Sequence, residues 1–205
     1  MIGADMSRRN TKEEIIDATL ELASQNGLGN VSMQQIADKV GIRKASLYNH
    51  YPSKEDLIES MYESIRQSSK EKASIIGVDY DALAEKGTIK AVLTTAVESY
   101  WRIVSDPQMN RFYRVVMNER TVSGTAAEIM VRETRLMIDS TEKLFRALED
   151  KGKAAFSNVD AAAFSFAMAI HSAIDYRFDL IGAGEEDRDM TGPIIDEFCI
   201  RYGTR

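Results

Sequence analysis

Apolar residues recur at every third or fourth position along most of this chain, with charged and polar residues between them. This spacing is typical of α-helices that bury one face. Runs that alternate apolar and polar residues between hairpin turns, which would indicate β-strands, are not found. Only three prolines interrupt the 205 residues. The pattern therefore predicts an all-α protein.

Glycines, prolines and helix caps divide this pattern into separate helices. The starts at Ser32 and Ser53 carry capping boxes, because Gln35 and Asp56 stand three positions later and can complete the cap. Gly41 closes the short helix that begins at Ser32. The predicted helices comprise about residues 11–26, 32–41, 44–50, 53–77, 88–105, 107–121, 125–150, 158–180 and 190–202.

Residues 32–51 have the layout of a helix-turn-helix, with two short helices joined by a tight turn that contains Gly41. Four apolar positions are predicted to pack inward: Ile36, Val40, Ile42 and Leu47. Since Leu47 takes the inward direction of the second helix, Tyr48 and Asn49 lie about 100° and 200° around the helix from it. Their side chains are therefore predicted to point away from the core.

Charge is distributed unevenly along the chain. The formal net charge is −6, yet the positive residues Lys39, Arg43, Lys44 and Lys54 fall in a window that contains no acid. Arg8, Arg9 and Lys12 add a basic N-terminal arm. A charge run by itself is usually a solvated surface. On a helix-turn-helix, however, it forms the local basic patch that an acidic protein needs to bind DNA.

The side chains on the second short helix suit the major groove of DNA. Asn49 can bond an adenine edge, and Lys44 can bond guanine or grip a phosphate. Tyr48 and His50 carry O–H and ring N–H donors for phosphate oxygens. Lys54 stands at the amino end of the next helix, where backbone amides also favour a phosphate.

The segment VSMQQIADKVGIRKASLYNHYPSKEDL resembles the DNA-binding domain of the TetR family of transcriptional regulators, over about residues 11–60. The matching positions are Ile36-Ala37, Gly41, Leu47-Tyr48, His50 and Lys54-Glu55 with Leu57. The resemblance implies that the DNA contacts are Ser32, Arg43, Lys44, Ala45, Tyr48, Asn49, His50 and Lys54. Tyr51 stands where the family usually has phenylalanine and is therefore expected in the core, whereas Ala45 stands where glycine is frequent.

The resemblance also implies a division into an N-terminal three-helix DNA-binding domain, residues 1–60, and a larger helical effector-binding and dimerisation domain, residues 61–205. A homodimer is expected through the last two long helices. Residues 161–174 are apolar nearly all round, so a single copy would leave part of this surface exposed.

Candidate contacts to an unknown small-molecule effector are aromatic residues, methionines and one histidine of the middle helices: Tyr100, Trp101, Phe112, Tyr113, Met117, Met137, Phe164, Met168, His171 and Tyr176. Aromatic residues and methionines at helical spacing fill a core more often than they contact a ligand. His171 and Asp175, one turn apart, could hold a metal, but a buried histidine paired with a carboxylate is the favoured interpretation.

Several classes of protein are disfavoured by what the chain contains. One cysteine excludes an internal disulfide, and two histidines leave little for a zinc site, so no cofactor or metal is expected. The N-terminal stretch has no apolar core of signal-peptide length, and the longest apolar run is about half a membrane span. We therefore expect a soluble, cytoplasmic protein without a membrane partner.

These observations predict a dimeric, ligand-responsive DNA-binding regulator, and specifically a repressor that a small molecule releases from a pseudo-palindromic operator of double-stranded DNA. The alternative is a helical small-molecule-binding enzyme or carrier that does not use the DNA motif. No activated nucleophile, paired catalytic carboxylates or cofactor loop supports an enzyme. DNA binding that weakens steeply with salt would distinguish the regulator from the carrier.

Overall fold

The structure is a computed structural model that describes residues 11–75 and 79–204. The predicted arm at Arg8 and Arg9 and the predicted helix break near Gly77 lie outside these residues. The helices are α1 (Thr11–Asn26), α2 (Met33–Val40), α3 (Lys44–His50), α4 (Lys54–Ile75), α5 (Tyr80–Lys86), α6 (Ile89–Val104), α7 (Pro107–Glu119), α8 (Gly124–Asp150), α9 (Val159–Ala183) and α10 (Thr191–Tyr202).

The all-α prediction is confirmed, since the described residues contain no strand and only an isolated β-bridge between Ala154 and Gly203. Two elements were not predicted. One is a single 3₁₀ turn, Leu28–Asn30, called the 28–30 turn below. The other is α5, whose cap is the Asp79 side chain accepting the Ala82 N–H at 2.9 Å. Both are too short for the apolar periodicity to show.

The described residues form two compact units. The first unit contains residues 11–75 and Asp106–Met130, so that α7 and the first turns of α8 belong with α1 to α4. In this unit α1 packs against α2, α4 and α7. The largest side chains with almost no exposed surface in its core are Ile15, Leu20, Ile36, Leu47, Leu57, Met61 and Phe112. Each such burial contributes about 1.5–3 kcal/mol relative to an exposed position.

The second unit contains residues 79–105 and 131–204. Aromatic rings make up much of its core: Phe145 stacks on Phe156 with centroids 4.6 Å apart, and Phe166 meets Phe198 edge to face at 4.8 Å. Such ring pairs add about 0.5–1.5 kcal/mol beyond the area they bury. Among the helices of the described residues, none has both the length and the apolar content of a membrane span.

Lys153 connects distant parts of the second unit. Its Nζ donates to the carbonyl oxygens of Ala84, Glu85 and Gly87, with distances of 2.9 Å to Glu85 and 2.5 Å to Gly87. These carbonyls lie at the C-terminal end of α5, where no further helical N–H can reach them. The Lys153 carbonyl in turn accepts the N–H of Thr204 at 3.1 Å. One residue therefore ties α5 and the C-terminal segment to the loop after α8.

We predict that Lys153→Met lowers the free energy of unfolding by about 2 kcal/mol, because hydrogen bonds to a charged donor are lost while the aliphatic stem is kept. Urea denaturation followed by circular dichroism measures the change. Lys151→Met is the matched control, since Lys151 makes an ion pair with Glu85 at the surface, and exposed pairs contribute little. Equal effects of the two substitutions would contradict the proposed role of Lys153.

Candidate nucleic-acid interface

The capping box at the start of α2 is present. Ser32 Oγ accepts the Gln35 N–H at 3.3 Å, while the Ser32 N–H donates to Gln35 Oε1 at 2.8 Å. The equivalent cap of α4 is also formed, with the Asp56 N–H donating to Ser53 Oγ at 3.0 Å. Such caps satisfy amides that the helix itself cannot, and each contributes about 1 kcal/mol.

Gly41 makes the turn between α2 and α3. Its backbone is left-handed, with φ of 78°, a conformation that costs a residue with a Cβ atom about 1–2 kcal/mol. The Gly41 N–H donates to the Asp38 carbonyl at 3.2 Å and the Ile42 N–H donates to the Ala37 carbonyl at 3.0 Å. These two bonds form a Schellman motif, which ends α2 and directs the chain into α3.

The apolar positions of the motif lie inward, as predicted. Ile36, Ala37 and Leu47 have no exposed surface, and Val40 and Ile42 pack half-buried against the same core. Tyr51 is buried as expected, and burial raises the pKa of its hydroxyl. The angle between the two short helices is therefore set by the close packing of Ile36, Ala37 and Leu47.

The opposite face of α3 presents polar groups to solvent. Lys44, Ala45 and Asn49 are exposed, Tyr48 keeps 41% of its surface exposed, and His50 is half-buried. The Lys44 Nζ lies 6.0 Å from the centre of the Tyr48 ring, within the range of a cation–π contact. This face combines a cation, a phenol, an amide and an imidazole on two turns of helix.

The four cations of the basic window have different surroundings. Lys39 makes an ion pair with Glu21 at 2.8 Å, and Lys54 donates to backbone carbonyl oxygens. Within residues 11–75 and 79–204, Arg43 and Lys44 have no carboxylate at ion-pair distance, and both are exposed. The charge available to an anionic partner is therefore concentrated at the start of α3.

The effector candidates fall in both units. Phe112, Tyr113 and Met117 lie in the first unit, where Phe112 is part of the core. The others lie in the second unit: Tyr100, Trp101, Met137, Phe164, Met168, His171 and Tyr176. Of these, Phe164 and Tyr176 are exposed on α9, and the rest are half-buried.

Two of the candidates in the second unit are in direct contact. The Tyr100 hydroxyl lies 2.9 Å from His171 Nδ1, and His171 Nε2 lies 3.6 Å from an Asp175 carboxylate oxygen. Burial, followed by the charges of Asp175 and Glu133, raises the pKa of Tyr100. In the described part of the chain, no three side chains of His, Cys, Asp or Glu lie close enough together to hold a metal ion.

Trp101 has partners that the sequence pattern did not indicate. Its ring stacks on Phe178 with centroids 5.3 Å apart, and the Arg177 guanidinium carbon lies 4.2 Å from the ring centre. Arg177 in turn binds both carboxylate oxygens of Asp187, at 2.6 and 2.7 Å. Arg177 and Asp187 are ten positions apart, so no helical or turn spacing in the sequence indicated this pair.

A surface depression of about 440 Å³ lies in the second unit. Its lining is mostly charged and consists of Asp79, Tyr80, Asp81, Lys143, Arg146, Ala147 and Asp150. None of the effector candidates contributes to this lining, and apolar ligands are usually held by apolar walls. The depression therefore does not match the predicted effector site.

Two family models match the chain. The model described as bacterial regulatory proteins, tetR family, matches residues 15–61. The model described as AefR-like transcriptional repressor, C-terminal domain, matches residues 91–204, which is more than half of the chain. The first of these matches contains the helix-turn-helix of α2 and α3.

Curated relatives include the nucleoid occlusion factor SlmA of Yersinia enterocolitica and that of Pectobacterium carotovorum. Each is 32% identical over 77 residues, which is 37% of this chain and 39% of the relative. The chain thus spans about two fifths of the length of these curated relatives.

Solved structures with a similar fold include a protein of Mesorhizobium loti described as a TetR-family transcriptional regulator, with a TM-score of 0.68, 19% identity and coverage of 98% of this chain and 100% of that one. A transcriptional regulator of Saccharomonospora viridis in complex with choline has a TM-score of 0.67 and 16% identity, covering 95% and 98%. A SmeT–triclosan complex has a TM-score of 0.62 and 14% identity, covering 96% and 93%. At sequence identities of 14–19%, the similarity to these structures shows the fold alone.

We predict that Gly41→Ala lowers the free energy of unfolding by about 1–2 kcal/mol, because alanine must adopt the left-handed conformation. A Cβ atom at this position would meet no atom within 4 Å, so the cost comes from the backbone alone. Gly124→Ala is the matched control, since Gly124 is equally open but does not have a positive φ. Urea denaturation of both variants measures the difference, and equal stabilities would contradict the prediction.

Proposed function

Because the chain belongs to the TetR family of bacterial regulatory proteins, we propose that it is a dimeric repressor that leaves a pseudo-palindromic DNA operator when a small molecule binds. Membership makes it a DNA-binding transcription regulator. The DNA-binding function is assigned to residues 1–60, and effector binding and dimerisation to residues 61–205. The observation that carries the proposal is the outward face of α3, which is directed to solvent because Leu47 is fully buried on the opposite side.

The side chains of α3 suit the major groove, which is wide enough for an α-helix. In the proposed complex Asn49 bonds a base edge, and Arg43 and Lys44 contact phosphate or guanine. Tyr48 and His50 donate to phosphate oxygens. Ala45 offers a small surface at which the helix approaches a thymine methyl group, and Ser32 brings the amino end of α2 to the DNA backbone.

The exposed face of α9 supports a dimer. Ala161, Phe164, Ser165, Ser172 and Tyr176 are exposed, and their spacing places them on one side of the helix. Phe164 and Tyr176 keep 53% and 47% of their surfaces exposed. A second copy of the same face would cover these rings in a two-fold symmetric contact, with α10 beside it.

Release from DNA is proposed to be a population shift. Two half-sites on successive helical turns are about 34 Å apart, so both α3 helices bind together only at one separation. An effector that binds better to a conformation with another separation reduces the DNA-bound population. Small molecules bound to two proteins of similar fold, choline and triclosan, support an effector of this kind.

We predict that Tyr48→Ala and Lys44→Ala each weaken binding to the duplex that the wild-type protein enriches from a random library. Lys44→Ala should also lower the slope of log affinity against log salt by about 1, because one phosphate contact is lost. Fluorescence anisotropy between 50 and 200 mM salt, a range over which affinity changes by orders of magnitude, measures both quantities. Lys143→Ala on α8 is the control for loss of an exposed lysine. Unchanged affinity in both α3 variants would favour the alternative function, that of a helical small-molecule-binding enzyme or carrier that does not use the DNA motif.

We predict that Phe164→Glu converts the dimer to a monomer at micromolar concentration, since it places a charge in the apolar contact between two copies. Light scattering after size exclusion measures the mass. Val122→Glu is the matched control, because Val122 is 81% exposed but lies outside α9 and α10. A wild-type protein that is already monomeric would count against the proposed dimer.

A further inference from the structure

The 28–30 turn, which connects α1 to α2, is held from two sides by charged side chains. On one side the Leu28 N–H donates to Glu119 Oε1 at 3.3 Å. On the other side Lys54 Nζ donates to the carbonyl oxygens of Leu28 and Gly29, at 3.0 and 3.4 Å. Both faces of the same peptide segment are therefore bound to groups that carry opposite charges.

Lys54 has a different environment from the cations at the start of α3. Its side chain is half-buried, whereas those of Arg43 and Lys44 are exposed. An ammonium has three donors, and two of them are directed at the turn. A lysine that contacts DNA is a point charge held toward the phosphate, and Lys54 is instead directed at its own chain.

Glu119 reaches the turn from the last residue of α7, 91 positions along the chain. Its charge also raises the pKa of the buried Tyr62 hydroxyl on α4, although burial of that hydroxyl is the larger cause. The Glu119 side chain is half-buried, so its hydrogen bond to the Leu28 N–H is partly shielded from water and stronger than one at an open surface.

The turn controls the position of the helices that follow it. Leu28 and Val31 are buried on either side of the exposed peptide, and Ser32, the cap of α2, comes next. Since α2 packs against α3, a shift of the turn moves both helices relative to α1. The orientation of α3 therefore depends on whether the turn is held.

We propose that Lys54 and Glu119 are positioning residues, which hold the 28–30 turn and thereby orient α2 and α3 for DNA, and that Lys54 acts through backbone carbonyls instead of gripping a phosphate. The proposal rests on the proposed contact of α3 with DNA. It also makes the orientation of α2 depend on α7, because Glu119 belongs to that helix.

The salt dependence of binding separates the two possible roles of Lys54. Each phosphate contact contributes about 0.9 to the slope of log affinity against log salt. Lys54→Met should weaken binding to the enriched duplex by about threefold to tenfold, the effect of losing about one ordinary hydrogen bond, and leave the slope unchanged. Lys44→Met should lower the slope by about 1. Lys54→Arg, which keeps N–H donors for the carbonyls, should restore most of the affinity.

Glu119 is tested by a matched pair of substitutions. Glu119→Met removes the acceptor and should weaken binding by about threefold, whereas Glu119→Gln keeps an oxygen for the Leu28 N–H and should bind nearly as the wild type. Hydrogen exchange of the Leu28 amide should be faster in Glu119→Met than in Glu119→Gln. The double variant Lys54→Met/Glu119→Met should lose less affinity than the product of the two single losses, because both side chains hold one turn.

A slope lowered by about 1 in Lys54→Met would assign Lys54 to a phosphate and overturn the proposal, as would full affinity in Lys54→Met or Glu119→Met. If the wild-type protein enriches no duplex, the proposed function fails. Leu28 amide exchange, which needs no DNA, then still decides whether Glu119 holds the turn: equal exchange in the Met and Gln variants would overturn that part as well.

Discussion

The complete burial of Leu47 is the constraint on which the proposed DNA-binding surface depends. A helix of two turns has room for one inward direction, and Leu47 takes it within the core that also buries Ile36 and Ala37. The neighbours of Leu47 in sequence must then point outward, whatever their chemistry. The exposed amide, phenol and ammonium of α3 are thus a consequence of packing on its other side.

The cations near the helix-turn-helix make two kinds of contact. Arg43 and Lys44 present charge to solvent, while Lys39 and Lys54 bind groups of their own chain. Arg43 and Lys44 give a protein of net charge −6 a local positive site that can attract a polyanion. Of the four cations in the window, only Arg43 and Lys44 are therefore exposed without a carboxylate partner in the described part of the chain. The sequence alone does not separate them from Lys39 and Lys54, because all four residues carry the same charge.

The second unit is organised by long-range contacts around an aromatic core. Lys153 satisfies the carbonyls that end α5, and Arg177 joins the Trp101 ring to the acids of the loop after α9. Polar groups bound in this way stabilise the positions of loops without adding to the apolar core. The rings of Phe164 and Tyr176 on α9 are an exception in this unit, since each keeps about half of its surface exposed. Exposed aromatic rings grouped on one helix face usually mark a surface for a partner.

The sequence by itself determined the features that depend on neighbours three or four positions apart. These are the helical class, the caps at Ser32 and Ser53, the end of α2 at Gly41 and the inward direction of Leu47, because each involves groups that a helix or turn brings together locally. Only the tertiary structure decided the features that join distant residues. Lys54 meets a turn 25 residues earlier, and Glu119 meets it from 91 residues later, so no local pattern distinguishes them from solvated charges. Which distant residues come into contact depends on how the helices pack, and that packing depends on all the side chains of the core together.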